Sequence, residues 1–511
     1  MESIKKENPV LKMRPFSDVY IGTGNGLIKK NLKRGLDAIG GLPKYIKPGQ
    51  SVFLKPNLTA AQEEMTGGVT DSRVVRAMIE LIREECQPGK IMVGENTFQG
   101  GVTERYFKEH GYVDMCKELD CELVDFENEP DGMKQYPLEN ALFLDAPCLP
   151  KKVVESDVYI TLPVLKNHDS VCVTAAIKNS FGLIPAIDRR EVHRHSAIEQ
   201  TIVDIARIRK PDLCIVDGRI GMEGIAGGSH FDHPRYANRI IIGNDPVAVD
   251  VVCAHIMEQN PRVRYLQWAE EFGLGNANLD YINFHGMPLE EAKVRFMSPA
   301  EEIEEMTGGK LHLYDLGSCS RCRATAQGTL HRFHSPDTVL NEADILYGPG
   351  EWDIDEKDRS KVCILVGDCI QEKYRKLGRW VPGCPLDEKA YFGALNDLHV
   401  VCNRCELTVK EFIKNHTDEE LAFLRILASN KTVYKGRDNQ AAATDYTLCV
   451  GACQMGYAWH HKERSAAEFI DRGLDLDIND IVGTVDCHKV TVEQIEEVFR
   501  KLKAHHDAHK K

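Results

Sequence analysis

From Ser51 onward, short runs rich in β-branched residues alternate with amphipathic helical patterns, and that alternation narrows the fold more than any other feature. "SVFLKPN" (Ser51 to Asn57) reads as a strand broken by Pro56, and "DSRVVRAMIELIREEC" (Asp71 to Cys86) has apolar residues at helical spacing behind an Asp/Ser cap. "KIMVGE", a helix over 103–119 and "CELVDF" follow. Then come "DVYITLP", a helix over 197–208, "DLCIVDG", "RIIIGND" and a helix that opens at Pro246 with Asp245 as its cap. Strands alternating with helices predict an α/β fold with a mostly parallel sheet and flanking helices. This rhythm defines one α/β domain over 1–300. Past "MSPAEEIEEMTGG", a capped acidic helix or a linker, it resumes in a smaller cysteine-rich α/β module over 310–400, where "KVCILVGD" is a strand. A helix-rich region over 401–511 closes the chain.

The bulk numbers exclude whole classes of partner. A formal net charge of -14 with no basic stripe argues against nucleic-acid binding, which needs a cationic face. "MESIKKENPVLKMRPF" has no apolar core of signal-peptide length, and no window reaches the roughly 18 apolar residues of a membrane span. A soluble cytoplasmic protein with no membrane partner is expected. The 17 cysteines of a 511-residue chain without an export signal point to metal sites or free thiols, and ten of them follow Gly309.

Cys319 with Cys322, and Cys402 with Cys405, form two C-x-x-C pairs, with Cys369 in "ILVGDC" and Cys384 in "VPGCPL" between them. A C-x-x-C turn lets two thiolates converge on one metal or cluster. Zinc, the alternative metal, is usually held by two such pairs close in sequence, and here they stand far apart. "VCILVGDCIQEKYRKLGRWVPGCPL" resembles the cluster-binding part of hydrogenase small subunits. That resemblance implies a 4Fe-4S cluster held by Cys319, Cys322, Cys369 and Cys384. Cys402, Cys405, Cys449 and Cys453 form a candidate second set, and buried structural thiols are the alternative for all eight.

"YITLPVLKNHDSVCVTAAIKNSFGLIP" (Tyr159 to Pro185) opens like a buried strand and then places Lys166, Asn167, His168 and Asp169 in succession, with Lys178 and Asn179 further on. Parallel sheets bind ligands in loops at the carboxyl ends of their strands. Lys55 follows "SVFL", Lys166 and His168 follow "DVYITLPV", and Asp217 ends "LCIVD", so all four are expected on one sheet edge. Lysines there neutralise a carboxylate or phosphate, and burial pulls an amine towards a usable base. The bland reading of each lysine alone is a surface ion pair.

His168 is either a general acid/base or a core histidine. His193 and His195, beside Arg189, Arg190 and Arg194, form a basic loop for an anion or a metal, or a solvated turn. "DGRIGMEGIAGGSH" (Asp217 to His230) reads as a phosphate cradle, a lid or tight turns. Asp250 is a site carboxylate or the partner of a lysine.

Four segments, "LKPNLT", "LPVLKNHDSVCVTAAIKNSFGLIP", "REVHRHSAIEQTIVDIARIRKPDLCIVDG" and "GNDPVAVDVV", together resemble the domain of unknown function 362 family over Val52 to about Met257. The resemblance implies cluster-binding cysteines, and some members look distantly similar in fold to lactate racemase. The expectation is an iron–sulfur oxidoreductase or electron-transfer component of anaerobic metabolism, with a possible redox partner protein, acting on a small anionic ligand. Lys166, His168 and Lys178 would be catalytic, and Lys55, Asn57, Asn179, His193, His195, Asp217 and Asp250 would bind the ligand. Two alternatives stay open: a racemase, isomerase or lyase using Lys/His acid–base chemistry on a carboxylate, and a non-enzymatic electron or metal carrier.

Overall fold

The computed structural model describes residues 16–59, 66–97, 103–129, 132–225, 233–261, 263–330, 339–353, 359–398, 400, 404–428, 431–437, 447–450 and 490–509. It divides into two compact units, Met1–Ser298 and Pro299–Lys511. No helix among the described residues is long and apolar enough to cross a membrane.

The strands of the first unit are β1 (Ser17–Thr23), β2 (Ser51–Pro56), β3 (Lys90–Glu95), β4 (Glu122–Asp125), β5 (Met133–Gln135), β6 (Cys148–Pro150), β7 (Val158–Leu162), β8 (Val164–His168), β9 (Cys172–Thr174), β10 (Leu213–Met222), β11 (Pro234–Arg235), β12 (Arg239–Gly243) and β13 (Ile282–Gly286). The main sheet runs β13-β1-β12-β10-β7-β2-β3-β4. From β4 to β10 its pairings are all parallel. β12 is antiparallel to both β10 and β1, which makes the sheet mixed on that side.

β2 shows why these runs become central strands. Val52 and Leu54 pack on one face with Leu32, Leu36, Val75 and Met78 of helices Ile28–Ala38 and Ser72–Cys86. Phe53 points to the other face, among Tyr159, Ile202, Val203 and Val247. A strand buried on both sides must be apolar throughout, and burying each such side chain contributes about 1.5–3 kcal/mol. The helix stops and starts are local: Asp71 accepts a hydrogen bond from Arg73 N at 2.8 Å, and Asp245 accepts from Val247 N at 2.9 Å ahead of helix Pro246–Ile256.

Three expectations need correction. The helix over 103–119 is two, Thr103–Glu109 and Tyr112–Glu118, because Gly111 turns the chain with φ +72°. Lys166 and His168 lie not in a loop but in β8, which continues past Pro163 beside the second half of β10 and folds back as β9. The basic loop is helical: Ala186–Arg194 contains Arg189 and His193, and His195 ends it.

In the second unit, β14 (Leu311–Asp315), β15 (Ala343–Tyr347), β16 (Val362–Val366) and β17 (Arg379–Val381) form a parallel sheet in sequence order. Helices Ser320–Leu330 and Glu388–Asp397 accompany it. A smaller sheet, β18 (Arg425–Ala428), β19 (Lys431–Lys435) and β20 (Thr447–Val450), shares a core with helices Arg404–Lys414 and Val492–His509 through Val409, Phe412, Ile426 and Phe499.

Candidate functional site

The carboxyl ends of β2, β3 and β7 converge where the apolar strands stop. There Lys55, fully buried, donates to Glu95 Oε2 at 2.6 Å and lies 3.4 Å from Asn179 Oδ1. Burial lowers the Lys55 pKa, and the Glu95 carboxylate opposes that shift. Glu95 also accepts Leu58 N at 3.3 Å and Asn96 N at 2.8 Å, so this buried charge is bonded on both oxygens. Gly182 closes over the pair, and a Cβ there would stand 2.9 Å from Lys55 Nζ.

Asn179 and Asn57 carry the network to Lys166. The Asn179 amide nitrogen donates to Thr161 Oγ1 at 2.9 Å and Lys55 O at 3.2 Å, which turns its oxygen towards Lys55 and Asn57 Nδ2, the latter at 3.3 Å. Asn57 Oδ1 is thereby left facing Lys166 Nζ at 3.0 Å. Thr59 Oγ1 at 3.1 Å and Gly68 O at 3.0 Å are two further acceptors around the same amine. Burial, reinforced by the charge on Lys178, brings Lys166 down to about 7.

His168 Nδ1 accepts from Ser170 N at 3.1 Å and stands 2.8 Å from Asp169 Oδ1. The two contacts suit different protonation states: a bare Nδ1 takes the Ser170 N–H, and a protonated Nδ1–H donates to Asp169. Burial, then the nearby Lys178 charge, lowers the His168 pKa. Burial alone would raise Asp169, but the charge and hydrogen bond of His168 and the Ser170 hydroxyl hold it well below the usual carboxylate range.

Lys178 sits in the short helix Ala176–Asn179, partly exposed, with Nζ 5.1 Å from the centre of the Phe181 ring. Burial brings its amine down to about 8, helped by Lys55 and Arg189 and opposed by Asp169 and Asp250. Asp250 is fully buried behind that helix. It accepts Tyr265 OH at 3.0 Å and Ile177 N at 3.3 Å, and burial pushes its carboxyl up to about 7. Asp250 thus braces the backbone that carries Lys178.

The structure therefore brings Lys55, Asn57, Lys166, His168, Lys178, Asn179 and Asp250 into one region. His193 lies beside it, with its ring edge-on to Phe181 at 5.7 Å, and His195 packs on Phe143 at the end of its helix. Asp217 belongs to a separate ionic cluster: β10 runs on past it to Met222, and Arg219 bridges Asp217 Oδ2 at 2.8 Å and Asp71 Oδ2 at 2.6 Å. Of the glycine-rich stretch, 226–232 lies outside the described residues.

Sequence reasoning missed Glu95, and put Arg189 in a solvated or anion-binding loop. Arg189 is buried, with Nη1 donating to Asn96 O at 3.1 Å and Nη2 to Asn96 Oδ1 at 3.2 Å. The signal for Glu95 was the single carboxylate ending the apolar run "KIMVGE".

In the second unit the loops after two strands bring three cysteines together. Cys319 and Cys322 follow β14, with Cys322 in the first turn of helix Ser320–Leu330. Cys369 follows β16 and Cys384 follows β17. The free thiol of Cys322 is hydrogen-bonded to the sulfurs of both Cys319 and Cys369. Cys319 is brought down to about 5 by its bond from Cys322 and by backbone N–H donors of Cys322 and Arg321. Cys369 falls to about 7, chiefly through Cys322, with Gly348 N–H also contributing.

The loops after β16 and β17 are tied by Gly383 N to Asp368 Oδ1 at 2.9 Å and Trp380 Nε1 to Gly367 O at 3.1 Å. Gly367 (φ +89°) lines this space, where a Cβ would lie 3.1 Å from Cys322 Sγ and 3.8 Å from Cys369 Sγ. Among the described residues no group of three or more His, Cys, Asp or Glu side chains is arranged to hold a metal ion. The thiols of Cys319, Cys322 and Cys369 thus share a space with backbone N–H groups aimed at sulfur and a wall without a side chain. Cys402 and Cys453 lie outside the described residues, and Cys405 and Cys449 fall in helix Arg404–Lys414 and β20.

The sequence pattern of the family described as "Domain of unknown function (DUF362)" matches residues 52–255. A thylakoid-associated protein of Synechocystis sp. is 30% identical over 244 residues, which cover 46% of this chain and 72% of that protein. Among solved structures, the lactate racemase apoprotein from Thermoanaerobacterium thermosaccharolyticum is similar with a TM-score of 0.31 and 9% identity, over 75% of this chain and 90% of that one. A protein from Thermotoga maritima gives a TM-score of 0.31 and 10% identity, over 70% of this chain and 92% of that one. Through the span that builds the lysine cluster, from β2 to helix Pro246–Ile256, the chain belongs to the domain of unknown function 362 family.

Proposed function

We propose that the first unit is an acid–base enzyme acting on a small carboxylate, which it binds among Lys55, Lys166 and Lys178 while Lys166 and His168 move the substrate's proton. The observation that carries this reading is the hydrogen-bonded path from Glu95 through Lys55, Asn179 and Asn57 to Lys166, which links the Lys55 and Lys166 amines. Lys178 and Lys55 both disfavour the charged form of Lys166, and Lys55 that of Lys178, so an anion among these amines would be favoured.

The neutral Lys166 amine takes a proton from the carbon beside the carboxylate, becoming ammonium as the substrate becomes an enolate. The surrounding cations stabilise the charge that develops. His168, protonated from solvent to an imidazolium whose Nδ1–H faces Asp169, returns a proton through its other ring nitrogen and is left neutral. Racemisation, isomerisation and elimination all begin with this step.

The test is proton exchange at C2 of lactate, malate and related acids in deuterated water, followed by NMR, with carboxylate binding measured by calorimetry. Exchange that disappears in Lys166→Met, with the circular dichroism unchanged, supports the reading. Absence of both binding and exchange across the panel sinks it.

A second, redox reading is favoured by the cysteine-bearing loops. In it Cys319, Cys322, Cys369 and Cys384 hold a 4Fe-4S cluster, or zinc in its place, and Cys402, Cys405, Cys449 and Cys453 a second metal. A bound cluster would supply one-electron transfer, for an oxidoreductase or for a carrier serving a partner protein. Anaerobic purification followed by iron, acid-labile sulfide and zinc analysis separates these outcomes.

A further inference from the structure

The three pocket lysines differ in what their amines touch. Lys55 Nζ has Glu95 Oε2 at 2.6 Å, Pro56 O at 3.3 Å and Asn179 Oδ1 at 3.4 Å. Lys166 Nζ has three oxygens between 3.0 and 3.1 Å. Lys178 Nζ makes no hydrogen bond among the described residues, and the contact it does make is with the Phe181 ring. Yet the backbone under Lys178 is firmly held, by Asp250 at Ile177 N and by Asn179 through Thr161, Lys55 O and Pro56 O. A fixed Cα, a side chain with some exposure and an amine not committed to protein acceptors are what a nucleophile requires.

We infer that Lys178 is a covalent nucleophile whose amine condenses with the carbonyl of a small 2-oxo acid to form an imine. This rests on the carboxylate site proposed above and names for it a substrate class whose acidic hydrogens lie on C3 rather than C2. A 2-oxo acid matches both halves of the site, its carboxylate meeting the lysine field and its carbonyl carbon the uncommitted amine. Burial and the Lys55 and Arg189 charges favour the neutral form that attacks. In the step, the nitrogen adds to C2 and a C–N bond forms. The carbonyl oxygen, having gained two hydrogens, leaves as water. Amine, ketone and one proton thus become a protonated imine and one water, with nothing oxidised or reduced. The iminium then draws electrons from the neighbouring carbon and makes its protons acidic enough for a neutral amine or imidazole to take.

The experiment treats the full chain with pyruvate and cyanoborohydride, which reduces an imine to a stable secondary amine, and maps the adduct by mass spectrometry. One reduced pyruvate per chain on the peptide carrying Lys178, saturable in pyruvate, suppressed by lactate and lost in Lys178→Arg, is the expected result. Mapping the unsubstituted protein gives the answer even if Lys178→Arg fails to fold. An adduct on Lys55 or Lys166 instead, or labelling that never saturates, overturns the assignment. Lactate binding by calorimetry without any pyruvate adduct overturns the imine and leaves the acid–base reading standing, whereas no binding of either acid overturns both.

Discussion

At the scale of single residues, Lys166 sets the pH behaviour. Its amine titrates near 7 under the influence of burial, Lys178, Glu95 and Lys55, so proton exchange should rise as pH climbs through about 7 and level off above. Lys166→Arg should be as inactive as Lys166→Met, since a guanidinium does not give up its proton in this range. Stability runs the same way. The folded pKa lies below the unfolded one, so the unfolded chain binds more protons between them, and this group makes the fold more stable as pH rises from about 7 towards the ordinary lysine value. Glu95→Gln should cost about 3–5 kcal/mol in urea unfolding by stranding the buried Lys55 charge, and adding Lys55→Met should recover part of that loss. Lys166 was legible in the sequence because an ammonium inside an apolar run has few explanations. Glu95 was not, because its partner lies on a different strand and the pairing exists only once β2 and β3 are side by side.

At the scale of elements, local chemistry was readable and continuation was not. The caps at Asp71 and Asp245 and the strands "SVFLKP" and "KIMVGE" form where their residues indicate. Gly111 splits a pattern that reads as one helix, and β8 resumes after Pro163 because β10 extends far enough to give it a pairing edge. A strand's length depends on its neighbour, which periodicity within the strand does not encode. At the cysteine loops the decisive position is Gly367. Gly367→Ala places a Cβ 3.1 Å from Cys322 Sγ at φ +89°. If those loops hold a cluster, iron and sulfide per chain should fall several-fold in this variant while far-ultraviolet circular dichroism stays the same.

At the scale of the whole molecule, the family pattern and the folded unit have different limits. The match covers residues 52–255, while β1 and β13 lie outside it, one on each side in sequence. β1 pairs with β12 through Val19–Gly243 to Thr23–Arg239, and β13 pairs with β1 in turn. Val19 and Ile21 pack with Ile241, Val249 and Val252 in one core cluster. A fragment trimmed to 52–255 would therefore leave "RIIIG" as an unpaired hydrophobic edge, open to a strand of any other chain. Size-exclusion chromatography should find that fragment in aggregates and 1–298 in a single sharp peak. β1 with β13 beyond it thus acts as a selvedge, a finished border that keeps the woven part from fraying into its neighbours.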